Sequence, residues 1–503
     1  MFVNIPSITI YGLTPLKVNV EVDVSNSGNP KYTIVGLPSK SVEESLQRVL
    51  TAIKNTIGYI PIKKIVVNLA PADIYKQGSY YDLPIAIGIL AHFYNFDIPQ
   101  DAIYLGELSL NGEVKFVNGT FLASLFAKEN KIPKLIIPQE SAIEASGVPD
   151  ITILPIQHLR DIISFLKGET ILKPFNAPSS LPTQQSQKTT IDDIIGQPLA
   201  KRGILISAAG GHNIILSGSP GSGKTMLAHS LQTLLPPLTT KESIEVTKIY
   251  SATGNLPKNS GLIKIRPFRS PHHSTSTAGI IGGGSIPKPG EITLAHRGIL
   301  FFDELPEFPR ITLESLRQPL EDKVITISRS RSKFIFPAQF IFVGAMNPCP
   351  CGYYGHPANK CTCTPSEITR YLKKISGPLL DRIDLKITVN HINQDIYTKL
   401  LKKRNKEHQV FKQQILEARE IQQKRFKSQN ILTNAEMNNK DIKKLCKLDS
   451  SAQKLLDSVA TQQSLSVRSI IKIIKVSQTI ADLEKSKTIT KNHIYHAFQF
   501  RNF

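Results

Sequence analysis

The sequence of 503 residues contains no tryptophan, only five cysteines and no run of about 20 consecutive apolar residues. Without such a run, we expect no membrane-spanning helix and no membrane partner. Four of the cysteines fall within fifteen residues, which excludes the dispersed disulfide framework of a small secreted protein. The N-terminus lacks the basic start of a signal peptide, so we expect a cytoplasmic protein.

Acidic side chains are also scarce, with 40 Asp and Glu against 61 Lys and Arg and a formal net charge of +21. Residues 1–172 carry 14 basic and 16 acidic side chains, whereas residues 173–503 carry 47 and 24. A basic field of this size favours an acidic polymer or surface as partner, although it also serves solubility. The length predicts roughly two to four domains with full hydrophobic cores.

A phosphate-binding P-loop of the form G-x-x-x-x-G-K-T dominates the basic part. It consists of Gly218, Ser219, Pro220, Gly221, Ser222, Gly223, Lys224 and Thr225. The apolar residues 213–217 predict a buried strand before it, and residues 226–235 predict a helix after it. We expect Lys224 to reach the β- and γ-phosphates of ATP and the Thr225 hydroxyl to hold Mg²⁺.

Two further predicted strands end in polar residues. Residues 299–302 are apolar and end at Asp303 and Glu304, about eighty residues after the P-loop. We expect Asp303 beside Mg²⁺ and Thr225, and Glu304 placed to orient the attacking water and accept its proton. Residues 340–346 predict a third strand, which ends at Asn347.

The clustered cysteines are Cys349, Cys351, Cys361 and Cys363. Four thiolates in two pairs can close a tetrahedral zinc site, so Zn²⁺ is a third expected cofactor. Two cysteines in a C-x-C pair subtend a smaller angle at a metal ion than those in the usual C-x-x-C pair. His356 offers a substitute ligand. The alternative is four reduced thiols in an exposed loop, which would be reactive.

Residues 324–336 predict a hairpin on which Arg329, Arg331 and Lys333 alternate, on one face or around the tip. A small basic tip suits contact with DNA phosphates, which is independent of sequence and sensitive to salt. The alternative is a charged tip that keeps an exposed hairpin soluble.

Residues 1–172 predict an α/β domain of their own, with Val18, Val20, Val22 and Val24 on one face of a strand. The next eighteen residues hold three prolines and no apolar periodicity, as in a linker. We therefore expect four segments: the first domain at 1–172, the linker at 173–190, an ATPase core at 191–390 with a cysteine insert at 349–363, and a helical, basic C-terminal domain at 391–503.

Several phrases resemble one family, among them Val-Gly-Leu-Pro at 35–38, Asn-Leu-Ala-Pro-Ala-Asp at 68–73 and Gly-Glu-Leu-Ser-Leu at 106–110. With the P-loop half, they resemble the magnesium-chelatase-like AAA+ ATPases of the ComM/YifB group over nearly the whole chain. The resemblance implies an α/β fold, a P-loop AAA+ core with a helical lid, preceded by a Lon-protease-like domain. Tyr80 stands where a Lon-type serine nucleophile would align, and no lysine occurs between Lys115 and Lys128. We expect a binding or assembly module without proteolytic activity.

The same resemblance assigns three further site residues. Asn347 matches the first sensor of the γ-phosphate, or else it only begins a turn. Arg382, in Leu-Leu-Asp-Arg-Ile-Asp at 379–384, matches an arginine finger supplied by a neighbouring subunit, with Arg370 as the spare candidate. Arg468 matches the second sensor of the lid. An ordinary surface or salt-bridge role is the alternative for each arginine, and residues 266–284 resemble an insertion directed toward the pore.

An arginine finger that acts on the ATP of a neighbouring subunit requires an oligomer, and the family resemblance implies a homohexameric ring. It also implies a branch-migration helicase that acts on single-stranded or branched DNA during recombination and natural transformation. One rival function is a protein-remodelling ATPase whose Lon-like domain captures a polypeptide, but the hairpin tip is basic rather than aromatic. A chelatase-type ATPase is the other rival, and it needs a partner with an integrin-like metal site that this chain does not supply.

Overall fold

The fold is described from a computed structural model. The described residues are all except 1, 26–29, 60–62, 178–188, 258–259, 285–286, 330–331, 358, 392–405, 428–430 and 502–503. Two compact units are present: residues 1–183 together with 240–263, and residues 184–239 together with 264–503. Most of the expected linker at 173–190 lies outside the described residues.

Strands in the first unit form two sheets and a hairpin. The larger sheet has the spatial order Phe2–Tyr11, Thr14–Ser25, Lys64–Ala70 and Tyr32–Val35. The smaller, parallel sheet contains Ala102–Tyr104, Lys134–Pro138 and Thr152–Ile156. The hairpin pairs Glu107–Leu108 with Val114–Lys115. The predicted alternation is confirmed, because Val18, Val20, Val22 and Val24 are all buried.

Helices cover these sheets. Their bounds are Lys40–Glu43, Ser45–Ile57, Asp82–Tyr94, Thr120–Glu129, Ala142–Ala145, Leu159–Leu166 and Thr240–Thr253, with a 3₁₀ turn at Gln139–Ser141. Tyr80, at the position of a Lon-type nucleophile, packs beside Ile8, Ile10 and Leu105. Burial raises the pKa of its hydroxyl to about 12. A hydroxyl with a raised pKa among apolar side chains lacks the neighbouring base or lowered pKa that activates a nucleophile.

Residues 240–263 correct one expected boundary, since the sequence places them inside the ATPase core and the structure packs them in the first unit. Glu144 gives the physical reason. Its buried carboxylate accepts hydrogen bonds from Ser251 Oγ over 2.6 Å and from the backbone N–H of Phe121 over 3.2 Å. A buried carboxylate requires such donors, so Ser251 holds its helix to the first unit.

A five-stranded parallel sheet forms the centre of the second unit. Its spatial order is Phe268–Arg269, Ile299–Phe302, Ile341–Met346, Ile214–Gly218 and Leu385–Val389. Because every pairing is parallel, the loops that follow the strands meet at one edge, and the loops that precede them meet at the other. This separation places the groups described below.

Helices surround this sheet and build the lid. Around the sheet they are Pro198–Gly210, Lys224–Leu234, Thr277–Ile281, Glu291–Leu294, Arg310–Ser315, Arg317–Asp322, Pro365–Leu372 and Gly377–Leu380. In the lid they are Glu407–Arg425, Asn439–Leu445, Ser450–Gln462, Val467–Leu483 and Lys491–Gln499. Short 3₁₀ turns lie at Ile191–Asp193, Leu305–Glu307 and Asn434–Glu436. None of the helices in the described ranges combines the length and apolarity needed to cross a membrane.

The described part of the second unit also contains two antiparallel strand pairs: Gly282–Gly283 with Lys288–Pro289, and Val324–Arg329 with Ser332–Pro337. The lid helices share one hydrophobic core with the sheet. Buried members of that core include Leu216, Val343, Ile387, Ile473 and Ile480.

Candidate nucleotide site

The P-loop connects the strand Ile214–Gly218 to the helix Lys224–Leu234, as its motif predicts. Gly221 and Gly223 have φ values of 74° and 89°, a left-handed conformation that strains any residue with a Cβ. The curvature of the loop therefore depends on glycine at both positions. The loop ends at the N-terminus of the helix, where backbone N–H groups and the helix dipole favour phosphate.

Lys224 is the cation of this loop. Its Nζ donates to Gly218 O over 2.7 Å, to Ser219 O over 2.9 Å and to Asn347 Oδ1 over 3.2 Å. Burial lowers the pKa of Lys224, and the negative charge of Asp303 opposes that shift. The ammonium and the predicted sensor amide thus lie together, and a γ-phosphate can replace the carbonyl oxygens as partner of the lysine.

Asp303 and Glu304 follow the strand Ile299–Phe302 at the same edge of the sheet. Thr225 Oγ1 donates to Asp303 Oδ2 over 3.1 Å, so the two expected Mg²⁺ ligands are adjacent. Glu304 has a φ of 50°, which is strained for a residue with a Cβ, and such strain is concentrated at functional sites. Its carboxylate is 59% exposed and lies 3.7 Å from Nδ1 of His273.

His273 reaches Glu304 because part of segment 266–284 belongs to the main sheet. Phe268–Arg269 pairs with Ile299 and Leu300 as the edge strand, which brings the residues after it to the carboxyl edge. The expectation of a pore insertion is therefore wrong for this part of the segment. A strand of only two residues, one of them a charged arginine, gives too short a signal to be read from sequence.

Arg382 lies at the opposite edge of the sheet from the P-loop. The backbone N–H groups of Asp384 and Leu385 both donate to Asn213 O, which precedes the P-loop strand. Asn213 Nδ2 also donates to Arg382 O over 3.5 Å. A strand of five residues spans about 16 Å, too far for Arg382 to reach a phosphate on the P-loop of its own chain.

Glu321 joins the two arginines that the sequence singled out. Its Oε2 accepts a bond from Nη2 of Arg382, and its Oε1 accepts one from Nη2 of Arg468 over 2.7 Å. The Arg382 side chain is only 12% exposed, and its Nη1 donates to Pro378 O. The Arg468 side chain is 57% exposed at the first turn of the lid helix Val467–Leu483. The two guanidinium groups therefore form one cluster at this edge.

Asp384 fixes the segment that carries Arg382. Its carboxylate accepts a bond from Asn213 N over 3.0 Å and pairs with Lys472 Nζ at 2.9 Å. Burial alone would raise the pKa of Asp384, but the charge of Lys472 and the His212 side chain hold it well below its usual range. Burial lowers the pKa of Lys472 in turn, and the attraction of Asp384 opposes that shift.

The four clustered cysteines come together in space. All four Sγ atoms lie within 4.8 Å of one another. His356, the substitute ligand, is not part of that group, and its Nδ1 accepts a bond from the backbone N–H of Asn359 over 2.8 Å. Arg370, the spare finger, is exposed on the helix Pro365–Leu372.

The basic hairpin is described only in part, because residue Arg331 and the side chain of Arg329 lie outside the described residues. In the register, position 329 pairs with 332 and position 328 pairs with 333. Positions 329 and 333 thus belong to opposite faces, which rules out the one-face alternative and leaves the tip. Lys333 is exposed.

Three of the groups at these sites carry no signal in the sequence alone: His273, Glu321 and Asp384. Glu321 belongs to a charged, amphipathic helix end, where a solvated face is the usual interpretation. Asp384 lies in the finger segment but becomes notable only through its buried pairing with Lys472.

Three family models match the chain. Residues 190–397 match "Magnesium chelatase, subunit ChlI", residues 20–141 match "Subunit ChlI of Mg-chelatase", and residues 405–501 match "Magnesium chelatase, subunit ChlI C-terminal". Together they cover the P-loop, both carboxylates, the arginine cluster and most of the lid.

Full-length relatives agree with these models. Competence protein ComM of Haemophilus influenzae is 44% identical over 489 residues, which is 96% of this chain and 94% of the relative. The uncharacterized protein YifB of Escherichia coli is 41% identical over 495 residues, 97% of this chain and 95% of the relative. Lon protease 2 of Bacillus subtilis is 30% identical over 163 residues, about 30% of either chain. The chain therefore belongs to the ComM/YifB family of magnesium-chelatase-like AAA+ ATPases.

Proposed function

We propose that the protein is an ATP-driven motor on DNA, in which each ATP is hydrolysed between two neighbouring chains. The observation that carries the proposal is the separation of the phosphate-binding groups from Arg382 and Arg468. The P-loop and Glu304 occupy one edge of the sheet, whereas the two arginines occupy the other. A head-to-tail contact between identical chains brings these two edges together.

Residues of one chain then prepare the attack on the γ-phosphate. Lys224 binds the β- and γ-phosphates, and Thr225 and Asp303 would hold Mg²⁺, which when bound would neutralise charge on the phosphate oxygens. Glu304 accepts a proton from the attacking water as the water oxygen bonds to the γ-phosphorus, and the bond to the β-γ bridging oxygen breaks toward ADP. Asn347 orients the water and the γ-phosphate beside Lys224.

The neighbouring chain contributes the cationic groups. Arg382 donates to the phosphoryl oxygens as negative charge develops on them, and Arg468 contacts the same phosphate from the lid. Repetition of this contact by rotation closes a ring, and we propose six subunits in accordance with the family resemblance.

DNA is proposed as the polymer on three grounds. The surplus of basic side chains is confined to residues 173–503. The hairpin Val324–Pro337 carries Lys333 exposed and precedes the sensor strand Ile341–Met346, so movement of the sensor can shift the hairpin. The related ComM protein of Haemophilus influenzae is named a competence protein. We propose branched or single-stranded DNA as the substrate and branch migration during recombination and natural transformation as the activity.

Substitutions in the basic hairpin test the proposal that the protein binds DNA. Changing Arg329, Arg331 and Lys333 together to Ala should weaken DNA binding across sequences. The slope of log affinity against log salt should fall by up to ~0.7 per lost contact on single strands or ~0.9 on duplex. Basal ATPase should persist, because no contact joins the described hairpin residues to the P-loop, Asp303, Glu304 or Asn347, while stimulation by DNA should fall.

A matched variant controls for the loss of three positive charges. Lys440, Lys443 and Lys444 are exposed on or beside one turn of a lid helix, and their replacement by Ala should leave the salt slope unchanged. An unchanged slope in the hairpin variant would contradict the proposed DNA contact. Stimulation of the wild type by an unfolded polypeptide rather than by DNA would favour a protein-remodelling ATPase instead.

A further inference from the structure

The cysteine loop at residues 349–363 has no part in the proposed hydrolysis. Among its described residues, only Cys349 and Gly352 are buried. Ordering a loop costs roughly 1–2 kcal/mol per residue in backbone entropy, and so little burial provides few hydrophobic contacts to offset that cost. The four cysteine sulfurs of the loop nevertheless lie within 4.8 Å of one another, which indicates that an interaction other than hydrophobic packing orders the loop.

The sulfur geometry fits one central metal ion. Cys349 Sγ lies 3.3 Å from Cys351 Sγ and 3.7 Å from Cys361 Sγ, and the last two sulfurs are 3.5 Å apart. A tetrahedral ion with metal–sulfur bonds of about 2.3 Å places its ligands roughly 3.8 Å from one another. A disulfide needs about 2.05 Å between two sulfurs, and it joins pairs rather than making three sulfurs equidistant.

Backbone donors also point at the sulfurs. The N–H of Cys351 donates to Cys363 Sγ over 3.4 Å, and the N–H of Tyr354 donates to Cys349 Sγ over 3.3 Å. Such outer donors orient thiolate ligands and stabilise their negative charge around a metal. Two backbone donors cannot balance the charge of four thiolates, so a divalent cation is the partner that would allow all four cysteines to ionise together.

The loop is also attached to the nucleotide site. Cys349 follows Asn347 by two residues, and Gly352 lies so close to the P-loop that a Cβ on it would come within 2.7 Å of Pro220 Cδ. Gly352 has a φ of 85°, so the turn itself requires glycine. An ordered cysteine loop therefore supports both the sensor amide and the first half of the P-loop.

We propose that Cys349, Cys351, Cys361 and Cys363 bind one structural zinc ion, which fixes the loop against the P-loop and the Asn347 sensor. Four sulfur ligands close the coordination sphere, so the ion has no open position for water or substrate and acts in structure rather than in chemistry. The statement about the P-loop and the sensor rests on the proposed ATP hydrolysis, whereas the zinc site itself does not.

Metal analysis of the full chain, purified without chelator, tests the site. We expect about one zinc per chain, lost in the Cys349→Ser/Cys351→Ser variant. Cys446→Ser is the matched control, because Cys446 is buried in the lid, with its Sγ 3.9 Å from Met437 Sδ. The control should keep its zinc. Four freely titratable thiols without metal, iron in place of zinc, or a disulfide in the purified protein would each overturn the proposal.

Nucleotide binding tests the structural role. With a fluorescent ATP analogue, the double variant should bind at least ~10-fold more weakly than the Cys446→Ser control, equivalent to about 1.4 kcal/mol, because the P-loop loses the support of the cysteine loop. Equal helical signal in circular dichroism shows that both variants fold. Loss of zinc with unchanged nucleotide affinity would refute the claim that the cysteine loop supports the P-loop. The proposed zinc site itself would stand. If DNA does not stimulate the ATPase, the DNA-motor proposal fails, but the measured zinc content and nucleotide affinities keep their meaning.

Discussion

Replacing Arg382 with Ala tests in most detail the proposal that two neighbouring chains share the ATPase site. The arginine lies at the edge of the sheet from which its own P-loop is about 16 Å away, so its removal should leave ATP binding in that chain intact. Arginine fingers contribute a factor of 10³–10⁵ to turnover. We therefore expect hydrolysis to fall by ~10³-fold, equivalent to about 4 kcal/mol of activation free energy.

Mixing variants shows on which chain the arginine acts. An Arg382→Ala chain keeps its P-loop, and a Lys224→Ala chain keeps its finger. In a ring assembled at random from equal amounts, about one quarter of the interfaces combine an intact P-loop with an intact finger. Turnover of the mixture should therefore approach a quarter of the wild-type rate if the interfaces act independently, although each variant alone is inactive.

The assay is steady-state phosphate release after the two proteins are mixed under conditions that allow exchange of subunits. Ring formation by Arg382→Ala, measured by light scattering, is the control. Additive rates with no gain on mixing would refute the assignment of Arg382 in trans. If Arg370→Ala is inactive alone and regains turnover when mixed with Lys224→Ala, Arg370 rather than Arg382 would be assigned as the arginine finger.

Four other changes probe single roles. Lys224→Ala should lose affinity for ATP in a fluorescence binding assay. Glu304→Gln should still bind ATP but lose ~10²–10⁴-fold in turnover, and near-normal turnover would show that Glu304 is not the general base. Glu321→Gln keeps one acceptor oxygen for the arginine cluster, so turnover should fall roughly tenfold, less than on loss of the arginine itself. Asp384→Asn should destabilise the second unit by about 3–5 kcal/mol in denaturant titrations, because it leaves a buried lysine unpaired. Since the pKa of Asp384 is lowered on folding, its contribution is present above about pH 3.9 and is lost as the pH falls below that value, so the variant and wild type should converge in acid.

Sequence patterns were sufficient for the elements with strong local signals. The P-loop with its flanking strand and helix, and the strand before Asp303, follow from a glycine-rich motif and apolar runs, and the structure confirms them. The family and its fold class were also predictable, because the motifs that carry the resemblance span most of the chain. The positions of Asp303 and Glu304 follow from the end of the strand Ile299–Phe302, because parallel pairing brings such ends to one edge of the sheet.

Long-range pairings could not be predicted in the same way. The helix Thr240–Thr253 packs in the first unit because Ser251 satisfies the buried Glu144, and a hydrogen bond across 107 residues leaves no local pattern. Glu321 gains its role only through Arg382 and Arg468, which are distant in sequence. Phe268–Arg269 is a strand only because a neighbouring strand is there to pair with it.

The rate of ATP hydrolysis with and without DNA tests the central claim most directly. The wild-type protein should be measured alone, with single-stranded DNA, with a fork and with a four-way junction, at equal nucleotide concentration and moderate salt. A DNA-driven motor predicts stimulation by DNA, greatest with the branched forms, and a loss of stimulation as salt rises. Hydrolysis that is unchanged by every DNA, together with no detectable binding to any of them, would contradict the proposal that this AAA+ ATPase acts on DNA.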